Sequence, residues 1–334
     1  MEMNRRRFTG TLTGSIASSL AAMAWPNLVQ AQAAMPETLK ILVGFPPGGP
    51  TDAAARRIGD AMRGSYARNV LVDNKPGAAG RIGFEELRRS PADGSVMLLQ
   101  PASVIALQPN VDPKNANYKP DDCAPVSGCC VIHYGFAVGP MVPESVKTMR
   151  GFLDWAKANP GQANFGSPGQ GSPMQFLVNL LSRDTGVALN HVAYKGSAPA
   201  IQDLLGGQIA AVCSPVGDSF PHLKSGRLRL LATSSDKRSR FSPDVPTFGE
   251  QGYKGLEMQE WFGLFMPKGT PPAVLQRAAQ SIRQAVALPE VVDAFTRFGF
   301  EAESNTPEEF LRLMQQDYNN WAQRVKAIGF KLEG

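Results

Sequence analysis

A β-strand, a glycine-containing loop and a helix recur along the chain, and this repetition restricts the fold more than any other feature of the sequence. Residues 39–45 predict a strand, residues 46–50 a turn and residues 51–62 a helix with one apolar face. The same unit returns at residues 70–89 and begins again at 96–103. Alternation of this kind predicts a parallel sheet with helices on both faces, the α/β class.

A second series of such units follows an uncharged stretch at residues 123–143. The stretch is long enough to cross a membrane, but three prolines and three glycines interrupt it, which excludes a continuous helix. Residues 131–138 predict instead a strand that is buried on both faces. The units beyond the stretch predict helices at 149–158, 174–183 and 198–205, and strands near 164–165, 192, 209–213 and 228–233.

Two lobes are expected, because 334 residues exceed what one compact core usually holds. Each series of units would form one of them. The C-terminal third is expected to be mainly helical. Thr306 and Glu309 predict a capping box, and the apolar stripe that follows at steps of three and four predicts a helix packed onto a core.

The first thirty residues have the three-part layout of an export signal. Arginines at 5–7 precede an uncharged run, and small residues follow at 29–33. The paired arginines with Phe8 resemble the twin-arginine signal, and a general secretory signal is the alternative. We predict a cleaved signal at residues 1–31 and a periplasmic mature chain.

The charge of the chain argues against a nucleic-acid partner. The formal net charge is +5, and loss of the predicted signal, which carries three arginines and one glutamate, lowers it to +3. The basic clusters are short and are interleaved with acidic residues, so they are interpreted as solvated faces.

The cysteines and histidines do not have the spacing of a metal site. After export, Cys123, Cys129, Cys130 and Cys213 would lie in an oxidising compartment. A disulfide from Cys123 to Cys129 or Cys130 is one interpretation, and small buried thiols in apolar strands are the other. No metal and no cofactor are expected.

Catalytic signatures are also missing from the sequence. The chain has no Gly-x-Ser-x-Gly elbow and no phosphate-binding P-loop, and Gly169-Gln170-Gly171 lacks the third glycine of a dinucleotide fingerprint. We therefore expect no catalytic residues and a protein that is not an enzyme.

Glycine-rich loops after the predicted strands are the candidate binding features. The loops at 45–52, 77–80 and 166–172 present backbone N–H groups near helix starts, where they can bind an anion. Ligands of open α/β sheets bind at this edge of the sheet. Because such loops occur in both lobes, a cleft that binds a small anion explains them.

Several motifs occur in order over nearly the whole mature chain. They are Phe45-Pro46-Pro47-Gly48-Gly49-Pro50-Thr51-Asp52, Asn74-Lys75-Pro76-Gly77-Ala78-Ala79-Gly80, Ala92-Asp93-Gly94, His191-Val192-Ala193-Tyr194-Lys195-Gly196 with Gly206-Gly207-Gln208, Val245-Pro246-Thr247 with Glu250 and Gly252, Trp261-Phe262-Gly263, and residues 267–271. Together they resemble the extracytoplasmic solute receptors of tripartite tricarboxylate transporters, the Bug family.

The resemblance implies a fold of the periplasmic binding protein type II kind, with two doubly wound α/β domains joined by a hinge and a ligand cleft between them. Domain 1 would comprise residues 35–137 and 246–334, and domain 2 residues 138–245. The receptor would be a monomer that captures a small carboxylate by domain closure and delivers it to the membrane permease. The carboxylate would be a di- or tricarboxylate, an amino-acid-like acid or an aromatic acid. A ligand-sensing subunit of a membrane signalling protein, or a periplasmic hydrolase, are the alternative functions.

Backbone amides and small side chains of the facing loops would then hold the ligand. The candidate ligand-binding residues are Pro47, Gly48, Gly49, Asp52, Gly77, Ala78 and Ser103 in domain 1, and Ser167, Gly169, Ser172, Tyr194, Lys195 and Gly196 in domain 2. Asp52 has a second interpretation, as the residue that caps the first helix and fixes its loop. Arg81 could neutralise a second carboxylate in the cleft or lie on the solvent face of its helix.

Overall fold

A computed structural model describes residues 35–116, 118–223 and 225–330. The export signal predicted at residues 1–31 lies outside them. In the described chain the strands are β1 (Thr38–Val43), β2 (Asn69–Asn74), β3 (Val96–Pro101), β4 (Cys123–Val138), β5 (Asn164–Ser167), β6 (Asn190–Ala193), β7 (Ala211–Pro215), β8 (Arg229–Thr233), β9 (Gln259–Pro267) and β10 (Glu301–Ala302). The helices are α1 (Pro50–Met62), α2 (Arg81–Arg88), α3 (Ser103–Ala106), α4 (Gln108–Val111), α5 (Met149–Ala158), α6 (Pro173–Thr185), α7 (Ser197–Leu205), α8 (Phe220–Leu223), α9 (Pro272–Val286), α10 (Pro289–Thr296) and α11 (Pro307–Ile328).

The strands form one mixed sheet. Its order is β2-β1-β3-β9-β4-β7-β5-β6, and β8 and β10 also pair with β4. The strands β1, β2 and β3 are parallel to one another, as are β5, β6 and β7. Between these two groups, β9 and β4 run antiparallel to their neighbours. The α/β class is therefore confirmed, but an all-parallel sheet is wrong, because two antiparallel strands join the two parallel groups.

The long strand β4 is the element that both groups share. It pairs with β9 over residues 123–133 and with β7 over residues 134–138. The strand predicted at 131–138 is buried as expected, but β4 begins eight residues earlier, at Cys123. The pairing with β9 shifts register beside Pro125 and Gly128. These bulges explain how a central strand tolerates both residues, which a regular ladder disfavours.

Helix α11 packs against the central strands β4 and β9 and against helix α6. Its capping box forms as predicted, because the Thr306 hydroxyl accepts from the Glu309 N–H and the Glu309 carboxylate accepts from the Thr306 N–H. Near its start the Phe310 ring lies 5.4 Å from that of Phe265 on β9, and near its end Trp321 lies 5.6 Å from Phe176 on α6. Neither α11 nor any other helix of the described chain is both long and apolar enough to cross a membrane.

The four cysteines are buried free thiols. Cys123 donates a weak 3.5 Å hydrogen bond to the carbonyl oxygen of Pro120. Of the two interpretations of the cysteines, the structure matches the buried thiols.

Candidate functional site

The carboxyl ends of both groups of parallel strands reach the same short part of β4. At the end of β3, Pro101 pairs with Phe262 of β9, which pairs in turn with Cys130 of β4. At the end of β7, Pro215 pairs with Tyr134 of β4. The loops that follow these strands therefore leave the sheet next to β4 residues 130–134, which is where an α/β sheet binds its ligands.

The loop after β1 is held in place by Asp52. This buried carboxylate accepts hydrogen bonds from the Gly48 N–H at 2.9 Å, Arg56 Nε at 2.9 Å and Asn74 Nδ2 at 3.0 Å. Burial acts to raise the pKa of Asp52, but the hydrogen bonds from Arg56, Gly48 and Asn74 hold that pKa below its ordinary value. The structure thus matches the loop-fixing part of the interpretation of Asp52, but its capping part is wrong, because Gly49 is the N-cap of α1 and no side chain caps the helix there.

Because Gly48 donates to Asp52, its N–H is not a vacant donor for a ligand. The N–H groups of Gly49 and Thr51 have no hydrogen-bond partner among the described residues. They stand at the N-terminus of α1, where the helix dipole favours an anion. Pro47 is exposed on the same loop. The anion donors of this loop therefore begin at Gly49.

The loop after β2 has an unusual backbone. Gly77, Ala78, Ala79 and Gly80 all have positive φ, at 136°, 48°, 53° and 93°. Left-handed alanines cost about 1 kcal/mol each, and such strain persists where the surroundings enforce it. Here the loop packs against the end of β1, since a Cβ added to Gly44 would lie 2.8 Å from the Cα of Gly80.

This strained loop also presents vacant donors. The N–H groups of Gly77, Ala78 and Ala79 lack a partner within the part of the chain that the structure describes. Successive N–H groups on a tight turn can form an anion-binding concavity. The N–H groups of the candidates Gly77 and Ala78 are therefore available to an anion, and so is that of Ala79.

Ser103, which follows β3, is already occupied by a protein carboxylate. Its N–H donates to Oε1 of Glu260 on β9 at 2.8 Å, and the hydroxyl of Tyr134 lies 3.4 Å from Oε2 of Glu260. Burial raises the pKa of Glu260 to about 7. Sequence reasoning missed Glu260, although an acid directly before the apolar residues of a strand is a visible signal.

In the second group of strands, Ser167 fixes the loop after β5. Its hydroxyl oxygen lies 2.7 Å from Nε2 of His191 and 3.2 Å from the Ser172 hydroxyl, and it donates to the Gly169 carbonyl at 3.1 Å. Ser172 also caps α6 by accepting from the Gln175 N–H. The two serine hydroxyls are thus bound internally, and the Gly169 N–H remains without a partner among the described residues.

The pair of Ser167 and His191 does not amount to a hydrolytic triad. Burial alone lowers the pKa of His191, and among the described residues no carboxylate is hydrogen-bonded to its ring. A Ser–His nucleophile needs a third group that orients the imidazole. Sequence reasoning missed His191, because only the fold brings it next to Ser167.

The loop after β6 is joined to the loop after β5. The Tyr194 N–H donates to the Ser167 carbonyl at 3.0 Å, and the Gly196 N–H donates to the Pro168 carbonyl at 2.9 Å. The Tyr194 hydroxyl donates to Asp203 at 2.7 Å, and burial together with Asp203 raises the pKa of Tyr194 to about 12. Lys195 is exposed beside it. These bonds fix the two loops as one unit.

Arg81 does not have a vacant charge. Its Nη1 lies 3.0 Å from Asp112 Oδ2 in a largely buried ion pair, so its charge is already compensated within the protein. Within the described residues, no group of three or more His, Cys, Asp or Glu side chains is arranged to hold a metal ion.

Comparison with known proteins gives consistent matches. The family model described as the tripartite tricarboxylate transporter family receptor matches residues 54–330. The protein BugT of Bordetella pertussis (strain Tohama I) is 32% identical over 99% of this chain and 100% of its own length. The solved periplasmic binding protein BugD is 30% identical with a TM-score of 0.75, covering 88% of this chain and 98% of its own. MatC from Rhodopseudomonas palustris, solved with bound malate, is 25% identical with a TM-score of 0.74, covering 86% and 98%.

Proposed function

Because the chain belongs to the tripartite tricarboxylate transporter receptor family, as its motifs indicated, we propose that it is a periplasmic receptor that captures a small carboxylate and delivers it to a membrane permease. The family and its solved relatives are solute-binding proteins, not enzymes. MatC holds malate, a dicarboxylate, and that likeness supports a carboxylate here.

One observation carries the carboxylate proposal. Backbone N–H groups without partners lie on loops at the carboxyl ends of strands in both parallel groups: those of Gly49, Thr51, Ala78 and Gly169. Such groups satisfy a carboxylate without a fixed counter-charge. Acidic side chains are bound internally at two neighbouring positions, Asp52 and Glu260, so the loops already bind carboxylates of the protein itself.

Domain closure is the proposed mode of capture. We propose that domain 1 comprises residues 35–137 and 246–334 and that domain 2 comprises residues 138–245. The chain would pass from one domain to the other twice, in β4 and in the connection from β8 to β9. An anion that meets amides of both domains binds the closed form more tightly than the open form, and this difference shifts the hinge equilibrium. The closed surface is then what the permease distinguishes.

The proposed route begins with export under the signal at residues 1–31, after which the mature receptor acts as a periplasmic monomer. Edman sequencing of the protein recovered from the periplasm would locate the new N-terminus. Export that fails when Arg5 and Arg6 are both changed to lysine, with a secretory-signal fusion restoring it, would identify the twin-arginine route.

Thermal unfolding of the mature protein with a panel of acids tests the binding function. The panel contains succinate, malate, adipate, citrate and benzoate as sodium salts, each compared with sodium chloride at the same ionic strength. A ligand present at about 100 times its Kd adds about 2.7 kcal/mol to the free energy of unfolding. At least one acid should raise the Tm in wild type, and that rise should vanish in Gly49→Val. An unchanged Tm with every acid would contradict the proposal.

A further inference from the structure

A cavity of about 310 Å³ lies between α7, the segment 216–223 and the turn after α10. We call it the seam pocket. Its volume is at the lower end of that of small-molecule sites. The residues that matter here are Ser197, Ile201, Asp218, His222, Arg297 and Phe298. None of its lining residues is a candidate ligand-binding residue from the sequence, so the pocket is a separate feature of the molecule.

One wall of the seam pocket carries a carboxyl group without a cation. Asp218 is partly buried, and the Ser197 side chain beside it acts to lower its pKa. None of the ion pairs among the described residues involves Asp218. Burial raises the pKa of Asp218, which reports the cost of holding this charge unpaired. A bound cationic group would relieve that cost.

Another wall carries a cation without an acid. Arg297 follows α10 directly and is exposed, and the described ion pairs do not include it either. Asp218 and Arg297 line the same cavity but do not form an ion pair with each other. A guest that carries both charges could therefore pair with each of them.

The remaining wall is apolar. Ile201 of α7 and Phe298 line the cavity, and Phe298 is 39% exposed, which is unusual for a phenylalanine. Burial of this surface by an aliphatic group would be favourable, because it removes apolar surface from water. The pocket thus offers an anionic group, a cationic group and an apolar surface in a volume that suits a compact molecule.

We propose that the seam pocket binds a small zwitterion with an aliphatic body, an α-amino acid of the size of leucine, whose ammonium group meets Asp218 and whose carboxylate meets Arg297. The pocket spans the contact of Gly217 with Phe298, one residue from each proposed domain. A guest that bridges Asp218 and Arg297 therefore favours the arrangement in which these two segments touch.

Calorimetry of the mature protein with three probes that share one aliphatic body tests this assignment. The probes are leucine, isopentylamine, which lacks the carboxylate, and 4-methylpentanoate, which lacks the ammonium group. Leucine should bind at least tenfold more tightly than either. Asp218→Asn should remove the advantage of leucine over 4-methylpentanoate, and Arg297→Gln should remove its advantage over isopentylamine. Asp293→Asn, an exposed change on α10, is the matched control and should leave leucine binding unchanged.

The variant Gly49→Val separates this pocket from the carboxylate loops. Leucine should bind Gly49→Val as it binds wild type, even where that variant has lost its acid ligand. The assignment would be overturned if leucine does not bind wild type or if the three probes bind with equal affinity. It would also be overturned if leucine binding disappears in Gly49→Val but survives in Asp218→Asn and Arg297→Gln. Circular dichroism of each variant verifies that it is folded.

Discussion

The backbone N–H of Ser103 donates a 2.8 Å hydrogen bond to Oε1 of Glu260, across 157 positions of the sequence. A carboxylate of the protein thereby accepts the hydrogen bond of a backbone N–H that follows the end of β3. Burial raises the pKa of this carboxyl to about 7, so the group binds a proton more tightly in the folded chain than in the unfolded chain. The free energy of unfolding must then depend on pH.

The first prediction is that Glu260→Gln removes this pH dependence. In wild type, the contribution of Glu260 is greatest below its unfolded pKa of about 4.3 and is lost as the pH rises through the folded pKa of about 7, a loss of up to about 4 kcal/mol. Urea unfolding at pH 5, 6, 7 and 8 should show wild type weakening relative to Glu260→Gln. Burial raises the pKa of Asp317 to about 6, but this residue titrates in both proteins and largely cancels. If the free energies of unfolding of the two proteins change with pH in parallel, the prediction is contradicted.

The second prediction concerns the three hydrogen bonds that Asp52 accepts. Asp52→Ala leaves the Gly48 N–H without its acceptor and removes one of the two acceptors of Asn74 Nδ2, which keeps the Phe45 carbonyl oxygen, and it should lower the free energy of unfolding by about 2 to 3 kcal/mol. It should also weaken binding of any acid found in the panel, because the loop loses its anchor. Urea unfolding and calorimetry measure the two effects.

Asp60→Ala is the matched control for Asp52. Asp60 lies on the same helix in an exposed pair with Arg63, and exposed pairs contribute about 0 to 1 kcal/mol. Equal losses of stability in the two variants would show that the bonds of Asp52 do not anchor the loop.

The third prediction distinguishes two neighbouring glycines. At Gly49 the φ angle is −80° and an added Cβ would lie 3.6 Å from the Pro46 carbonyl oxygen, an ordinary contact, so Gly49→Val should fold with nearly wild-type stability. Its branched side chain should block the N–H groups at the start of α1 and abolish acid binding. Gly48→Ala places a side chain at φ +83° and should lose about 1 kcal/mol of stability. If Gly49→Val binds the acid as wild type does, the loop does not hold the ligand.

Local signals of the sequence predicted the elements well. The helix at 149–158 and the capping box of Thr306 with Glu309 agree with the structure, because each depends on residues within a few positions of one another. The start of β4 was missed because Pro125 and Gly128 indicate a break, and only pairing with β9 shows that they lie at bulges.

For the site, the sequence predicted the loops but not the hydrogen bonds that hold them. The sequence indicates the glycine-rich turns, whereas the partners of Ser103 and Ser167 come from distant strands that the fold brings together. Alanine favours negative φ, so nothing local predicts the left-handed backbone of Ala78 and Ala79. Packing against the end of β1 enforces it.

The last prediction tests closure at the contact of Gly217 with Phe298. These residues belong to different proposed domains, and a Cβ on Gly217 would collide with the Phe298 carbonyl group. Because a backbone carbonyl cannot yield as a side chain can, Gly217→Ala should hold the two segments apart. The closed form then becomes less favourable, and acid affinity should fall at least tenfold, or about 1.4 kcal/mol. The unliganded protein should unfold nearly as wild type does, since the domains can relieve the collision by opening.

Small-angle scattering with saturating acid provides the decisive measurement for this last variant. Wild type should become more compact when the acid binds, whereas Gly217→Ala should retain the larger radius of gyration of the unliganded protein. Gly161→Ala is the control, because its added Cβ would meet no atom within 4 Å among the described residues. If Gly217→Ala compacts fully and binds with wild-type affinity, the contact takes no part in closure. If it loses stability without any change in compaction, the collision acts within one rigid body, and the two-domain division would have to be redrawn.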